Sequence, residues 1–385
     1  MKYVYPTYQR FPFEIKTGQG SHLTDNHGKT YLDFTAGIGV CNFGVHQPAI
    51  QAAVAEQLTQ IWHTSNLYES SLQDTVAKLL VHGEDRLVFF ANSGTEANEA
   101  ALKLARKYTG KTKILAFNQS FHGRTYGSMS MTGNPSIRAG YAPLVPDVAF
   151  ANYNDDAALA QITPDLAAVI LEVVQGEGGV FAGKPAWLQA VQAKCQAQGV
   201  LFMIDEVQTG IGRTGYRFAY EGAGLDPDIY TVAKGLANGL PVGAMVGRAK
   251  FATAFGPGSH GSTFAGNPLA MAAAQAVLTQ LTPAFLTHVR AKSQQVWAAV
   301  TQQIAGLPMV KQVTGKGLMI GIHLTTEVPV IKVMTALQQA GLLTLSAGDN
   351  TLRLLPPLVM PVEELLQGIQ TIATVLPQVE TEVEV

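Results

Sequence analysis

Cysteine and charge are both scarce in this sequence. Its 385 residues include two cysteines, Cys41 and Cys195, which are too few for a disulfide framework and lack the spacing of a metal site. Only 14 % of the residues are charged, the net charge is −2, and no basic stripe is present. We therefore expect no bound metal and no nucleic-acid partner.

Long apolar runs are absent as well. No stretch reaches the roughly 18 apolar residues of a membrane span, and the first residues lack the apolar centre of a signal peptide. The hydrophobic fraction of 47 % nevertheless excludes general disorder. At roughly 100–200 residues per domain, the length fits two domains. We expect a cytoplasmic protein without membrane contact.

Short apolar runs alternate with amphipathic stretches from about residue 70 to residue 250. Such runs are typical of strands buried on both faces, and their alternation with helices favours a mostly parallel α/β sheet. The clearest helix is predicted over 95–107, and Gly110 is placed to end it. The predicted strands are 86–91, 113–117, 167–173, 200–205, 229–233 and 243–247.

The two ends of the chain have a different pattern. Residues 14–35 alternate polar and apolar around a bend at Asn26 and Gly28, which predicts a small antiparallel sheet. From about residue 275, two long helical stretches, a strand at 318–324 and a last helix from Pro361 indicate an α+β region. We expect the tail, QVETEVEV, to be frayed.

Small polar residues separate the predicted strand 86–91 from the helix that follows it. The first N–H groups of a helix have no internal partner, so Gly94 and Thr95 could admit a phosphate at this point. Ser93 and Glu96 also match a capping box, which needs no ligand. The local sequence leaves both interpretations open.

Two further polar residues end apolar strands, where ligands of open α/β sheets collect. Asp205 could pair with a protonated ring nitrogen, or it could cap a helix or form an internal salt bridge. Lys234, if desolvated, would be a nucleophile toward a carbonyl group. Alternatively, its ammonium group could reach solvent from the strand end.

A glycine motif at Gly210, Gly212 and Gly215 matches the dinucleotide fingerprint G-x-G-x-x-G. The fingerprint needs a following helix to hold the pyrophosphate. The next residues, YRFAYEGAG, have no helical period. An NAD-dependent oxidoreductase is therefore a disfavoured alternative from a different class of enzyme.

A phosphate-ready helix, a strand-end aspartate and a strand-end lysine together suit pyridoxal phosphate, which has a phosphate, a ring nitrogen and an aldehyde. The chain resembles the class III aminotransferases of fold type I over essentially its full length. The stretches that carry the resemblance follow one another in the family's order: NSGTEANEAALKLAR, FHGRTYGSMSMTG, EVVQGEGGV, MIDEVQTGIGRTG, AKGLANGLPVGAM, GSTFAGNPLA and LRLLPPL.

This resemblance implies a large domain with a mostly parallel seven-stranded sheet sandwiched by helices, and a smaller α+β domain formed by both chain ends. It assigns residues 1–45 to the small domain, 46–270 to the large cofactor-binding domain and 271–385 to the small domain again. It also implies a homodimer with shared active sites.

The resemblance further implies roles toward pyridoxal phosphate. Lys234 would form the Schiff base with the cofactor and later act as the general base. Asp205 would pair with the ring nitrogen and Gln208 with the ring hydroxyl. Phe121 would stack on the ring, although by itself it would be an ordinary core aromatic. The phosphate contacts would come from Gly94, Thr95 and the partner subunit's Thr263.

Substrate contacts follow from the same resemblance. Arg353 would clamp the α-carboxylate of glutamate, and Glu177 would neutralise this arginine while an ω-amino substrate is bound. Arg124, with Ser262 nearby, would bind the distant carboxylate of the donor, and Glu172 would orient the site. Without the motif context, each of these charged residues would equally suit a structural ion pair.

The reaction that the resemblance implies is a ping-pong transfer of the δ-amino group of N-acetylornithine to 2-oxoglutarate, in arginine biosynthesis. Succinylornithine, succinyl-diaminopimelate, ornithine and 4-aminobutyrate are the alternative donors. The segment 37–48 departs from the family pattern, with Cys41 where asparagine is common and Val45 and Gln47 in place of histidines. Gly37 and Ile38, in place of a tyrosine, argue against ornithine. These departures bear on substrate identity more than on catalysis.

Overall fold

The computed structural model describes residues 3–379, so the predicted frayed tail lies outside the described residues from residue 380 onward. The largest sheet has seven strands, and two smaller sheets have four strands each. All pairs in the large sheet are parallel except the two made by one strand. In spatial order the strands are Arg86–Ala91, Gly243–Arg248 (the antiparallel one), Ile229–Val232, Leu201–Asp205, Leu166–Glu172, Lys113–Phe117 and Val148–Ala151.

The predicted mostly parallel α/β sheet is therefore confirmed, and each predicted strand occurs with its ends shifted by at most one residue. The strand Val148–Ala151 was not predicted. It lies at the edge of the sheet, has four residues, and is only partly buried along most of its length. Its apolar run, VAFA, is short, as is typical of a strand at a sheet edge.

The large sheet is buried on both faces. In the strand Leu201–Asp205, Phe202 and Ile204 pack into one apolar cluster, whereas Leu201 and Met203 pack into another. Successive side chains of a strand point to opposite faces, so the two clusters are the cores above and below the sheet. Burial of both faces is the reason why these strands were recognisable as apolar runs.

Helices connect the strands. The helix predicted over 95–107 extends over Gly94–Thr109 and ends at Gly110, which adopts a left-handed conformation with φ of 68°. The other helices of at least eight residues are Pro48–Leu58, Ser71–Val81, Pro185–Gln198, Pro268–Gln280, Pro283–Gln303, Val330–Gln339 and Val362–Val375. The shorter helices and 3₁₀ turns are Ala36–Gly39, Tyr126–Met131, Pro135–Arg138, Asp156–Gln161, Ala219–Gly222, Lys234–Ala237, Ala249–Thr253 and Leu376–Gln378.

The two ends of the chain share a sheet. The predicted antiparallel strands Ile15–Gln19, His22–Asp25 and Thr30–Asp33 are joined by Leu342–Leu343, which pairs in parallel with the third. The other four-stranded sheet is antiparallel and contains, in order, Val310–Lys316, Met319–Leu324, Thr351–Leu354 and Leu345–Ala347. A two-stranded ribbon pairs Val174–Gln175 with Phe181–Ala182. The domain boundaries stay a prediction.

Within residues 3–379, no single helix combines the length and apolar character needed to cross a membrane. The consecutive helices Pro268–Gln280 and Pro283–Gln303 meet that criterion only when taken together, and they are bent by 72° at the break between them.

Phe34, just after the third strand of the N-terminal sheet, packs against the last long helix. The Phe34 side chain is 1 % exposed and belongs to the apolar cluster of the C-terminal region. Its ring lies directly over Gly368 in the helix Val362–Val375, where an added Cβ would come within 2.2 Å of Phe34 Cζ. Glycine at this position therefore allows the two ends of the chain to pack closely.

The substitution Gly368→Ala is expected to lower the free energy of unfolding by about 1–3 kcal/mol, because the new methyl group overlaps a ring that is held in a packed core. The higher helix propensity of alanine offsets about 1 kcal/mol at most. Denaturant unfolding measures the change. Gly306→Ala is the control, since nothing lies within 4 Å of its added Cβ. Equal stability of the two variants would contradict the packing argument.

Candidate active site

A cavity of about 430 Å³ lies where several strands of the large sheet reach their carboxyl ends, and we call it the strand-end cavity. Its walls contain predicted site residues from distant parts of the chain, as expected for an open α/β sheet. The predicted residues that line it are Gly94, Thr95, Phe121, Arg124, Glu172, Glu177, Asp205, Gln208 and Lys234. Arg353 does not line the cavity itself but is paired with Glu177, which does. Ser262 and Thr263 line a separate cavity.

The amino end of the helix Gly94–Thr109 borders the cavity. Ser93 caps it, its hydroxyl accepting from Glu96 N at 3.3 Å, so the cap half of the predicted box is confirmed. Glu96, however, accepts from Asn92 N at 2.7 Å instead of closing the box on Ser93. The backbone is tightly packed here: a Cβ on Gly94 would come within 2.7 Å of Val207 Cγ1.

A second glycine keeps the same end of the helix open. Gly123 has a φ of +138°, and a Cβ added there would come within 2.2 Å of Thr95 Oγ1. Thr95 Oγ1 in turn lies 2.8 Å from Thr125 Oγ1. Glycines, hydroxyls and the positive end of a helix form an anion-binding arrangement that fits a phosphate group.

Asp205 is 3 % exposed at the end of its strand and accepts hydrogen bonds from three donors. Asn98 Nδ2 and His122 Nδ1 each lie 2.8 Å from Asp205 Oδ2, and Val207 N lies 2.9 Å from Oδ1. Asn98 is itself oriented by Thr231 Oγ1, which donates to its Oδ1 at 2.7 Å. These donors replace the water that the buried carboxyl group has lost and orient it, which suits pairing with a protonated ring nitrogen.

Sequence reasoning missed Asn98 and His122. Asn98 lies on the buried side of its helix beside Ala97 and Ala101, and a polar residue at such a position was an available signal. His122 carried no local signal apart from its place in the motif FHGR. Among the described residues, its buried Nε2 has no hydrogen-bond partner.

Lys234 follows the strand Ile229–Val232 and begins a 3₁₀ turn in a left-handed conformation, with φ of 45°. Non-glycine residues seldom adopt this conformation, and it is common at functional sites. Desolvation lowers the pKa of the Lys234 amine, and the charge of Arg353 acts in the same direction, while Glu177 opposes both. A lowered pKa makes the neutral, nucleophilic amine more accessible near neutral pH.

An ion pair between Glu177 and Arg353 borders the cavity. Arg353 Nη1 lies 2.6 Å from Glu177 Oε1, and Nη2 lies 3.2 Å from Oε2, so the contact is a two-pronged fork. Gln208 joins it, donating to Glu177 Oε1 at 3.2 Å and accepting from Arg353 Nη1 at 3.3 Å. Burial alone would raise the pKa of Glu177, but the charges of Arg353 and Lys234 lower it overall.

Glu172 is the last residue of the strand next to that of Asp205, and its carboxyl group accepts hydrogen bonds from two main-chain amides. Its Oε1 accepts from Phe121 N at 3.0 Å and its Oε2 from Gly176 N at 3.1 Å. Burial raises the pKa of Glu172 to about 7, against the effect of His122. These bonds fix the backbone of the residue predicted to stack on the cofactor ring. Beyond Phe121, the guanidinium carbon of the exposed Arg124 lies 5.7 Å from the ring centroid.

Ser262 and Thr263 are outside the strand-end cavity of their own chain. Ser262 Oγ accepts from Asn92 Nδ2 at 2.9 Å, and both residues line a separate cavity of about 700 Å³. Thr263 is exposed. The resemblance assigned Thr263 to the site of a partner subunit, so its own cavity is not where it was predicted to act.

The glycine motif at 210–215 is followed by a helix of four residues, Ala219–Gly222. Arg213, inside the motif, is fully buried. A dinucleotide site needs a long helix with an open amino end, and neither this short helix nor the buried loop around Arg213 provides one.

The fold is that of a pyridoxal-phosphate transaminase of fold type I, and the comparisons identify the family. The class-III aminotransferases match residues 3–376, so this chain belongs to that family and uses pyridoxal phosphate as its cofactor. The predicted family, fold class and cofactor are therefore confirmed.

Among curated relatives, acetylornithine aminotransferase of Lactiplantibacillus plantarum is 77 % identical, covering 100 % of this chain and 98 % of its own length. Acetylornithine aminotransferase of Bacillus subtilis is 49 % identical, with 96 % of each chain covered. Among solved structures, N-acetylornithine aminotransferase from Stenotrophomonas maltophilia has a TM-score of 0.83 at 32 % identity, with 97 % of each chain covered. Ornithine aminotransferase from Toxoplasma gondii has a TM-score of 0.94 at 30 % identity, covering 98 % of this chain and 92 % of that one.

Glu206, next to Asp205, lies outside this chemistry. Its oxygens accept from Thr209 Oγ1 and from Tyr220 N, the latter at 2.8 Å, and the side chain is completely buried. Burial raises its pKa to about 7 from an ordinary value near 4.5. The folded protein therefore holds a proton that the unfolded chain releases between about pH 4.5 and pH 7, so this group makes stability fall as pH rises through that window.

The substitution Glu206→Gln is expected to remove this pH dependence. Relative to wild type, the variant should gain up to about 3 kcal/mol of unfolding free energy between pH 5 and pH 8. Denaturant unfolding at both pH values measures the difference. Glu56→Gln, at an exposed carboxylate, is the control and should run parallel to wild type. If the unfolding free energy of Glu206→Gln also changes with pH in parallel with wild type, the pKa of Glu206 is not raised in the folded protein.

Proposed function

We propose that this transaminase moves the δ-amino group of N-acetylornithine to 2-oxoglutarate, a step of arginine biosynthesis that takes place in the cytoplasm. The observation that carries the proposal is the meeting of Lys234, Asp205 and the Glu177–Arg353 pair at one cavity. The names and high identities of the curated relatives support this donor.

Bound pyridoxal phosphate supplies an aldehyde that condenses with amines and a ring that withdraws electrons from the substrate carbon. Gly94 and Thr95 would hold its phosphate at the positive end of their helix, together with Thr263 of the partner subunit. Asp205 would pair with the ring nitrogen, Gln208 would donate to the ring hydroxyl, and Phe121 would stack on the ring. The hydrogen bonds of Asn98 and His122 hold the Asp205 carboxyl group in place.

Lys234 performs the proton transfer. Its Nζ, whose pKa is lowered by desolvation, takes the proton from the substrate carbon that carries the reacting amine. The same nitrogen then returns this proton to the other side of the transferred amino group. Because Lys234 follows a rigid buried strand, its amine reaches these atoms with little loss of conformational freedom.

The Glu177–Arg353 pair lets one cavity accept two unlike substrates. The donor presents its δ-amino end, which carries no carboxylate nearby, so Arg353 stays paired with Glu177. The acceptor presents an α-carboxylate beside its keto group, and Glu177 yields Arg353 to it. At the other end of the donor, Arg124 binds the distant carboxylate, while Glu172 holds the loop that carries Phe121. Ser262, predicted to lie near Arg124, lines the separate cavity instead.

The visible absorption spectrum tests this function. The wild-type protein with pyridoxal phosphate is expected to show the band of a lysine-bound cofactor, and N-acetylornithine should bleach it. Lys234→Ala should lack this band and lose at least roughly a hundredfold in rate. Lys250→Ala, at an exposed lysine, should keep both the absorption band and the rate of wild type.

The alternatives differ in which amine bleaches the band and in whether a band forms at all. Bleaching only with succinylornithine, succinyl-diaminopimelate, ornithine or 4-aminobutyrate would retain the family and reassign the donor. No band after the addition of pyridoxal phosphate would contradict the function itself.

The homodimer with shared sites is part of the same proposal. Around Thr263 the surface is unusually apolar: Trp62, Leu67 and Phe264 are 61 %, 91 % and 62 % exposed. The neighbouring segments are connected, since Asn66 Nδ2 donates to Ala265 O at 2.9 Å. A large exposed apolar surface is typical of a protein interface. An interface here supports the assignment of Thr263 to the site of the other protomer.

Mixed dimers test the shared site. Lys234→Ala and Thr263→Ala are each expected to form weakly active homodimers. A heterodimer of the two variants contains one site with both native residues, if Thr263 acts across the interface. Random mixing should then give about a quarter of wild-type activity beyond that of the separate variants. Absence of any gain on mixing, in samples shown to contain heterodimers, would place Thr263 in its own subunit's site or in none.

A further inference from the structure

Arg213 is the largest completely buried side chain in the described part of the chain. Its guanidinium donates to Leu318 O at 3.0 Å and to Pro356 O at 2.6 Å through Nη1, and to Asn42 Oδ1 at 2.6 Å through Nη2. Burial lowers the pKa of Arg213 to about 9, and the charge of Asp33 opposes this shift. A buried cation held mainly by neutral oxygens is costly, so the arrangement calls for a reason.

The three acceptors belong to segments that are far apart in the chain but close to the active site. Pro356 lies two residues beyond the end of the strand Thr351–Leu354, which contains Arg353. Two main-chain bonds reinforce the same junction: Leu355 N donates to Phe34 O and Leu358 N donates to Asn42 O, both at 2.7 Å. Arg213 therefore fixes the end of the strand from which Arg353 reaches Glu177.

The glycine motif makes this burial possible. Gly212 and Gly215 have φ values of +85° and +86°, and a Cβ on Gly212 would come within 3.0 Å of Leu358 Cδ1. Close approach of this loop to the 355–358 segment thus needs glycine. The motif that resembled a dinucleotide fingerprint serves to bring Arg213 against the C-terminal strand end.

We propose that Arg213 is a positioning residue that holds Arg353 where it can bind the α-carboxylate of the acceptor. This inference rests on the proposed function, in which Arg353 binds 2-oxoglutarate. Arg213 reaches Arg353 through the main chain at Pro356. The donor is bound at its far end by Arg124, so its binding does not depend on the position of Arg353.

Arg213→Lys tests the proposal, because it keeps the charge but replaces two donating nitrogens by a single ammonium group that cannot reach all three acceptors. The KM for 2-oxoglutarate is expected to rise roughly tenfold, with kcat and the KM for N-acetylornithine changed less than about twofold. A loss of general stability would raise both KM values or lower kcat. If this variant does not fold, Asn42→Ala removes one acceptor instead, and the same split is expected.

Arg217→Lys is the matched control. Arg217 lies in the same loop and is also buried, but it donates to Leu79 O at 3.1 Å and Leu281 O at 3.4 Å, away from the strand of Arg353. Neither KM should change more than about twofold in this variant. A tenfold rise in the 2-oxoglutarate KM of Arg217→Lys, or unchanged constants in Arg213→Lys, would overturn the proposal.

Amide hydrogen exchange gives a readout that is independent of turnover. The amides of Leu355 and Leu358 should exchange roughly tenfold faster in Arg213→Lys than in wild type or Arg217→Lys. Pro356, which lies between them, and Asn42, whose carbonyl accepts from Leu358 N, both lose their anchor in this variant. Equal exchange in all three proteins would refute the anchoring role. If wild type failed to transaminate the substrate pair while the exchange difference appeared, the proposed function would fail and the anchoring role of Arg213 would remain.

Discussion

The charge of Asp205 is the constraint on which the rest of the site depends. A carboxylate at the end of a buried strand is stable only when donors replace the water it has lost. Those donors come from separate elements: Asn98 from the helix that begins at Gly94, His122 from the loop that carries Phe121, and Val207 from the turn that carries Gln208. Satisfying one carboxylate thus sets the positions of Gly94, Phe121 and Gln208 together, the residues predicted to contact the phosphate, the ring face and the ring hydroxyl.

Much of the fold and of the cofactor site was predictable because the relevant signals are local. Strands buried on both faces appear as short apolar runs, and the residues at their carboxyl ends stand out against them. Gly94, Asp205 and Lys234 all occupy such boundaries, and each lines the strand-end cavity. The family resemblance supplied the roles that local signals left open, and the comparisons confirm the family, the fold and the cofactor. The individual residue roles stay predictions.

Local signals failed where partners are distant along the chain. The fork between Glu177 and Arg353 joins residues 176 positions apart, and only the resemblance indicated that they are linked. Asn98 was marked only as a polar residue on a buried helix face, and neither Asn98 nor His122 reveals its partner, because Asp205 lies on a distant strand. The apolar run of the edge strand Val148–Ala151 has only four residues. Nothing in the sequence or in one protomer alone shows what Thr263 contacts.

The fork on Arg353 has a further consequence for binding. Glu177 is a ligand that cannot diffuse away, so any carboxylate that approaches Arg353 faces a competitor at very high effective concentration. Affinity for such a carboxylate is lowered accordingly, and Glu177 re-occupies the guanidinium as soon as the carboxylate departs. The buried cation is thereby never left bare, and release of a carboxylate product is assisted by a group already in place.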